Sequence, residues 1–380
     1  MTQTIQADIA ILGAGSGGLS VAAGAAQLGL KVVLFEKGEM GGDCLNYGCV
    51  PSKALIAAAS AAHAARSGAA LGVTAGPVHV DFSRVMAHVH DTIRTIAPVD
   101  SQERFEGLGV QVVREAARFV DRRTVASDSV RVTARKIVIA TGSRAAVPPI
   151  PGLDAAPYLT NETVFELKAL PERLIVLGGG PIGVELGQAF RRLGSEVVVV
   201  EAGDILGRED PEAAAVVRRQ LLADGVELLE GHNVLRVEPG PVLVARSGEG
   251  EVRVSGSHLL VAVGRTPSLE GLNLEAAGVA HDRQGVRTDR SLLTTNRRVF
   301  AIGDAAGRGQ FTHLAGAHAS LVVRRALFAL PVNADALQVP RVTYCDPEVA
   351  AIGLGEAEAR KRHGADVRVQ VFEFAENDRA

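Results

Sequence analysis

Long apolar runs, tryptophan, basic clusters and cysteine are all scarce or absent in this 380-residue chain, and each absence narrows what it can be. No stretch approaches the ~18 uninterrupted apolar residues of a membrane-spanning helix, so no membrane partner is expected. With no Trp and 4% aromatic residues, any core has to be built from aliphatic side chains. The formal net charge is -3 and no basic run stands out, which gives neither nucleic acid nor an anionic membrane a surface to hold. The opening MTQTIQADIAILGAG moves straight into a strand-like run, without the basic and apolar regions of a signal peptide, so a cytoplasmic protein is expected. Only three cysteines are present. In a reducing compartment so sparse a set points to catalytic or metal-binding thiols rather than structural disulfides.

Aliphatic sequence and glycine are plentiful: hydrophobic residues make up 47%, and there are 42 glycines. That balance fits an α/β protein with tight turns, and the length suits two or three domains. Two of the three cysteines fall in one stretch, GGDCLNYGCVPSK, Gly41 to Lys53, with Cys44 and Cys49 five positions apart. Such a pair can close into a small disulfide ring and reopen by thiol exchange. Two buried thiols, or half of a zinc site, are the bland alternatives. No second CxxC and no nearby His cluster completes a zinc set, so no metal site is assigned. The Ala-rich run that follows, ALIAAASAAHAARSG, predicts a helix with Pro51 in its first turn. If that helix begins near Cys49, its N-terminus lowers the thiol's pKa and favours a thiolate.

From the N-terminus, residues 8–12, DIAIL, run into Gly13-Ala14-Gly15-Ser16-Gly17-Gly18, then a helix-like LSVAAGAAQLG and a strand KVVLFE ending at Glu36. Strand, loop, helix, strand and acid together make a Rossmann dinucleotide fingerprint. Gly13 permits the tight turn, Gly15 lets the backbone approach a pyrophosphate, and Gly18 allows close helix packing. The phosphates then sit at a helix N-terminus, and Glu36 suits an adenosine ribose. Residues 79–108 alternate at helical spacing and predict one long helix, with short strands after it at VQVVREA and ARFVD. The run KIVIATGS, 136–143, predicts a strand returning to the first sheet with Thr141 and Gly142 at its end. The proline cluster PPIPGL, 148–153, marks a boundary.

Beyond that boundary the chain repeats itself, residues 172–203 aligning without a gap on residues 7–38 at an offset of 165. Gly13, Gly15, Gly18 and Glu36 map onto Gly178, Gly180, Gly183 and Glu201. Two dinucleotides in one chain suggest electron transfer between cofactors. The second unit closes with LLVAVGR, 259–265, which contains Gly264 and is the analogue of KIVIATGS. Glu201 would accept from a ribose 2′-hydroxyl and repel a 2′-phosphate, and Ala202, Gly203 and Asp204 offer no adjacent arginine. NAD(H) is therefore expected over NADP(H), with Arg208 the nearest basic group. From about 270 the chain is loop-rich until RRVFAIGDAAG, which carries Gly303 and Asp304, and a helix is predicted from His313 to about Leu330.

Two Rossmann loops, a CxxxxC between them and an apolar strand ending in Gly-Asp resemble the class I pyridine nucleotide-disulfide oxidoreductases. This is the flavin-dependent group that contains dihydrolipoamide dehydrogenase, glutathione reductase and mercury(II) reductase. The similarity runs from about residue 5 to the last residue, and GGDCLNYGCVPSK is its most specific motif. The resemblance implies FAD held by Gly13, Gly15, Gly18, Glu36, Gly42, Thr141, Gly142, Gly303 and Asp304. It implies NAD(H) held by Gly178, Gly180, Gly183, Glu201 and Gly264. Cys49 would be the charge-transfer thiol against the flavin and Cys44 the interchange thiol that attacks substrate, with Lys53 and Glu185 paired near the flavin N5.

The implied layout is a first part of an FAD-binding domain over 1–150, an NAD(P)-binding domain over 151–268, the second part of the FAD-binding or central domain over 269–338, and a truncated α+β interface domain over 339–380. The implied activity passes electrons between NAD(P)H, FAD and the Cys44/Cys49 disulfide to a small-molecule disulfide or dithiol, as in dihydrolipoamide dehydrogenase. Mercury(II) reduction, with a metal-ion substrate, is the alternative, and a non-catalytic flavoprotein subunit is the alternative of another class. Asp43 stands where the family usually carries Thr, Tyr47 where a small aliphatic residue is common, and Pro181 where glutathione reductases carry Tyr. None of the ten histidines is followed by proline, so the family's His-Pro…Glu motif is missing, and truncation of a homodimeric protein is expected.

Blander readings stand beside these. Lys53 and Glu185 can equally be exposed charges, Asp304 a helix cap and Asp43 a turn residue. Cys345 reads as a packed thiol, and His313 and His318 as polar packing on their helix.

Overall fold

Strands buried on both faces of a parallel sheet need apolar side chains at successive positions, and Gln3–Leu12 supplies them: Ile9, Ala10 and Ile11 are fully buried. In the computed structural model, which describes residues 3–248 and 250–379, this strand lies between Val32–Phe35 and Val130–Ile139. Val110–Val113 lies outside Val32–Phe35, and all of these pairings are parallel. The far edge of Val130–Ile139 is shared. Thr124–Ala126 and Arg118–Asp121 add an antiparallel extension beside its first half, and Val299–Ala301 pairs parallel with its second half. The register brings Leu12, Phe35, Ile139 and Ala301 level, so the loops after them leave the sheet along one edge. Open α/β sheets hold their ligands at such an edge.

A second parallel sheet runs Glu227–Leu229, Glu196–Val200, Arg173–Leu177, His258–Val261, the same succession as in the first. The gapless repeat is therefore a repeat of structure. Before its last strand this unit carries a three-stranded antiparallel sheet, Asn233–Glu238, Val242–Ser247 and Gly250–Ser255, which the repeat does not foretell. Ser143–Ala145 pairs antiparallel with Arg265–Pro267, tying together the points where the chain leaves the first sheet and returns to it.

The single helix expected over 79–108 is two helices. Asp81 caps Phe82–Ile96 by accepting the Arg84 N–H, Pro98 falls in a 3-10 turn over Ala97–Asp100, and Ser101 caps Gln102–Gly107 by accepting the Arg104 N–H. Pro98 has no N–H with which to continue the first helix, and the Ser101 cap starts the second. The helix expected from His313 to about Leu330 runs Thr312–Phe328.

The helix Cys49–Ser67 packs on the helix Pro181–Leu193, with fully buried Leu55 in one apolar cluster with Val184 and Phe190. Burying a leucine in this way contributes about 1.5–3 kcal/mol. This packing sets the cysteine stretch of the first unit against the glycine helix of the second. Among the described residues, no helix is long and apolar enough to cross a membrane.

Candidate active site

The two glycine loops have the same construction. At Gly13 φ is +105° and a Cβ would lie 2.4 Å from the Ala140 carbonyl oxygen; at Gly178 φ is +111° and a Cβ would lie 2.6 Å from the Ala262 carbonyl. Only glycine fits either place. A Cβ at Gly18 or Gly183 would meet the Gly13 or Gly178 carbonyl at 1.9 or 2.0 Å, so each helix sits tight on its loop. Gly15 and Gly180 precede the helices Ser16–Gln27 and Pro181–Leu193 with no side-chain cap, which leaves N-terminal amides for an anion. The two acids also match. The Ala14 and Gly38 N–H groups donate to the two oxygens of Glu36 at 2.7 Å each, and those of Gly179 and Gly203 donate to Glu201 at 2.6 and 2.9 Å.

The cysteine stretch is pressed directly onto the first loop. The Gly41 N–H donates to the Ala14 carbonyl at 3.0 Å, and a Cβ at Gly42 would stand 2.7 Å from the Gly15 Cα. Cys44 lies in the short helix Gly42–Asn46, and Cys49 is the first residue of Cys49–Ser67. Both are free thiols. Thr312 Oγ1, at the start of its own helix, is 3.4 Å from Cys49 Sγ. The hydrogen bond from Cys44 is the main reason Cys49 titrates at about 6 instead of 9.0; burial opposes it, while Thr312 and Lys53 assist. Cys44 is pushed up by the same hydrogen bond, then by burial and by the charge on Cys49. The pair thus holds one proton, on Cys44, and one negative charge, on Cys49.

One turn into that helix, Lys53 Nζ lies 2.9 Å from Glu185 Oε2 and 4.3 Å from the centroid of the Tyr344 ring. The other Glu185 oxygen accepts the Tyr344 backbone N–H at 2.8 Å. Glu185 is 7% exposed, so this buried carboxylate has both oxygens satisfied. Across the site, Ser143 Oγ donates to Asp304 Oδ2 at 2.5 Å, and burial raises the Asp304 pKa against the pull of Ser143 and Arg265. His318 is 1% exposed and burial depresses it to about 4; its neutral Nδ1 accepts the Gly303 N–H at 3.2 Å and holds the Gly303–Asp304 turn. His313 stacks on Phe311, with Nε2 2.7 Å from the Pro340 carbonyl. Cys345 is buried, and its thiol is pushed up to about 12 by that burial.

An open cavity of about 320 Å³ is lined by Gly15, Cys49, Gly142, Asp304, Thr312 and Tyr344 among others. Beside it the buried Thr141 hydroxyl has no hydrogen-bond partner among the described residues, and Gly142, at φ +65°, has empty space where a Cβ would stand. An orphan hydroxyl, an open glycine and an uncapped helix N-terminus fit the phosphates and polar ring edge of FAD. Positions Gly180 and Gly264 are open in the same way at the second loop and fit a second dinucleotide. Among the described residues no group of three or more His, Cys, Asp or Glu side chains is placed to hold a metal ion.

Thr312, Tyr344, Ser143, Asn161 and Arg265 were not singled out by sequence. The local signals were at Ser143 and Arg265, which end the runs KIVIATGS and LLVAVGR; Thr312, Asn161 and Tyr344 come from segments with no motif of their own.

Comparison with known proteins agrees with this geometry. The profile of the pyridine nucleotide-disulphide oxidoreductases matches residues 7–319, and that of their dimerisation domain matches residues 339–380. A mercuric reductase of Bacillus cereus is 34% identical over 371 residues, covering 96% of this chain and 58% of that protein. A dihydrolipoyl dehydrogenase of Pseudomonas aeruginosa is 39% identical over 395 residues, covering 100% of this chain and 83% of that protein. Among solved structures, the HOCl-induced flavoprotein disulfide reductase RclA from Escherichia coli superposes with a TM-score of 0.85 at 29% identity, over 98% of this chain and 83% of that one.

Proposed function

The chain belongs to the pyridine nucleotide-disulphide oxidoreductases, and from that premise we propose that it reduces a small-molecule disulfide through Cys44 and Cys49 at the expense of NADH. The family uses FAD and NAD(P)H, and the two matched glycine loops fit one dinucleotide each. FAD would be held by Gly13, Gly15, Gly18, Glu36, Gly42, Thr141, Gly142, Gly303 and Asp304, and NAD(H) by Gly178, Gly180, Gly183, Glu201 and Gly264. When bound, FAD supplies the two-electron chemistry that links the nicotinamide to the dithiol.

The single observation that carries the reading is the polarised dithiol, a Cys49 thiolate and a Cys44 thiol beside one cavity. The proton on Cys44 can cross their shared hydrogen bond to Cys49. The Cys44 thiolate then attacks one sulfur of the substrate disulfide, forming a mixed disulfide and releasing the other sulfur as a thiolate. Cys49, its proton passed to solvent, attacks Cys44 Sγ, closes the Cys44–Cys49 disulfide and expels the second substrate thiolate. The substrate gains two electrons and the dithiol loses two. Lys53, held by Glu185, places its positive charge where the Cys49 thiolate forms.

Mercury(II) is the second candidate acceptor, supported by the mercuric reductases among the relatives. A homodimer is supported by the dimerisation-domain match over 339–380, and a cytoplasmic setting by the need to keep the dithiol cycling. The test is NADH oxidation by the FAD-loaded protein with lipoamide or with mercury(II) in excess thiol. Lipoamide turnover that disappears in Cys44→Ser and in Cys49→Ser is expected. Turnover of mercury(II) alone would select the second candidate, and lipoamide turnover unchanged in Cys44→Ser would refute dithiol chemistry.

A further inference from the structure

The residue before Cys44 departs from the family's usual threonine, and the structure gives its carboxylate a partner. Asp43 Oδ1 is 2.8 Å from Arg265 Nη2 and accepts from Asn161 Nδ2 at 3.1 Å. Asn161 Nδ2 also donates to the Tyr47 carbonyl at 3.2 Å, inside the loop between the cysteines. Asp43 Oδ2 packs so close to Gly48 that a Cβ there would lie 2.9 Å from it. From its place before Cys44, the carboxylate packs against Gly48 directly and reaches the Tyr47 carbonyl through Asn161. Its partner is anchored elsewhere: Arg265, with an 11% exposed side chain, donates from Nε to Ser143 Oγ at 2.7 Å and from Nη2 to the Ser143 carbonyl at 2.9 Å. Arg265 directly follows Gly264, the open glycine just after the strand His258–Val261, and begins the strand Arg265–Pro267.

We propose that Asp43 and Arg265 form a charge clamp that positions the dithiol, joining the helix of Cys44 to the strand leaving the second dinucleotide unit and balancing the electric field at Cys49. The inference rests on the redox reading of Cys44 and Cys49 given above. The charged or titratable groups lining the cavity with Cys49 are Cys44 and Asp43 from the short helix, Tyr47 just after it, Lys53 from its own helix, Glu185 from Pro181–Leu193, Asp304 from the turn after Val299–Ala301, His313 from Thr312–Phe328, Tyr344, and Arg265. Within that set the Asp43 charge disfavours a Cys49 thiolate and Lys53 favours it. Arg265 Nη2, 2.8 Å from the Asp43 carboxylate, offsets part of that charge. Removing either partner uncovers a charge of opposite sign beside the same sulfur.

The clamp thus makes a prediction of sign that mere structural support does not. In Asp43→Asn and Asp43→Thr the negative charge nearest the thiol is removed and the guanidinium keeps only Asp304, whose Oδ2 is 3.9 Å from Nε, so the pH midpoint for alkylation of Cys49 should fall. In Arg265→Gln the carboxylate is left uncompensated, and the midpoint should rise. Each shift should be on the order of half a pH unit, the scale of a partly screened charge near the thiol. The experiment uses the FAD-bound protein, its dithiol reduced with dithiothreitol, with iodoacetamide alkylation at Cys49 followed by peptide mass across pH, and flavin absorbance read on every variant. Opposite shifts support the clamp. Shifts of the same sign, or none, overturn it, as does loss of flavin in both Asp43 variants, which would make the pair a structural tie only. Failure of the underlying redox reading would look different: wild-type protein that binds no flavin or whose Cys49 does not react.

Discussion

Replacing Cys44 with alanine removes the group that contributes most to the ionisation of Cys49. In the intact pair Cys49 titrates at about 6, against 9.0 for an ordinary thiol. At pH 7 that leaves about nine-tenths of Cys49 as thiolate, where an unperturbed thiol would have about one-hundredth. Once the Cys44 S–H is gone, burial still works against the charge, and only Thr312, Lys53 and the helix N-terminus oppose it. The midpoint should then rise by about 2 pH units, and the thiolate fraction at pH 7 should fall about tenfold. Cys44→Ser, which keeps a donor at the same place, should give an intermediate midpoint. The assay is the rate of iodoacetamide alkylation at Cys49 in the reduced protein between about pH 5 and 10, with the midpoint as the readout. A rate at one pH does not suffice, because a thiolate of lower pKa is also a weaker nucleophile, by a factor of about 3 per pH unit. A Cys44→Ala midpoint at or below that of the wild type would show that Cys44 does not hold the charge on Cys49.

Three further outcomes are expected. Purified protein should carry FAD and gain a long-wavelength absorbance when reduced by two electrons; that band should vanish in Cys49→Ser and persist in Cys44→Ser, and a colourless protein with intact loops would count against the whole assignment. NADH should be preferred over NADPH in kcat/KM, and Glu201→Gln, which removes the charge that repels a 2′-phosphate, should narrow the preference by about tenfold, equivalent to about 1.4 kcal/mol; a wild type that prefers NADPH would contradict this. Lys53→Met leaves Glu185 with the Tyr344 N–H alone, which should destabilise the fold by about 1–2 kcal/mol after allowing for the exposed side of Lys53. Thermal unfolding should show a loss of a few degrees, largely restored in Lys53→Met with Glu185→Leu, and an unchanged melting temperature in the single variant would refute it.

What could be read from sequence and what could not divide along a physical line. Gly13 and Gly178 were legible because only glycine tolerates their φ and the approach of a carbonyl to 2.4 or 2.6 Å, so the motif is written in residue type at fixed spacing. Glu36 and Glu201 were legible for the same reason, each ending a strand at a set distance from its loop. Thr312, Arg265, Asn161 and Tyr344 were not, because each meets the site only through contacts across a long stretch of chain. His318 was read as polar packing, and its bond to the Gly303 N–H defines that packing. Local chemistry also overrode periodicity: the alternation over 79–108 was correct for the faces of two helices, but Pro98 and the Ser101 cap divided them.

The contact between Cys49 and Thr312 joins residues 263 positions apart. During synthesis both cysteines leave the ribosome long before that threonine exists, and before Glu185 is there to hold Lys53. The full set of groups that favour the thiolate is therefore assembled only when distant parts of the chain have come together, a late event for contacts of such sequence separation. A half-made chain carries the dithiol and Lys53 without the Thr312 and Glu185 contacts that complete their surroundings. The part of the Cys49 ionisation that Thr312 supplies is thus acquired only with the fold, and the titration of this one sulfur reports whether its distant partners are in place.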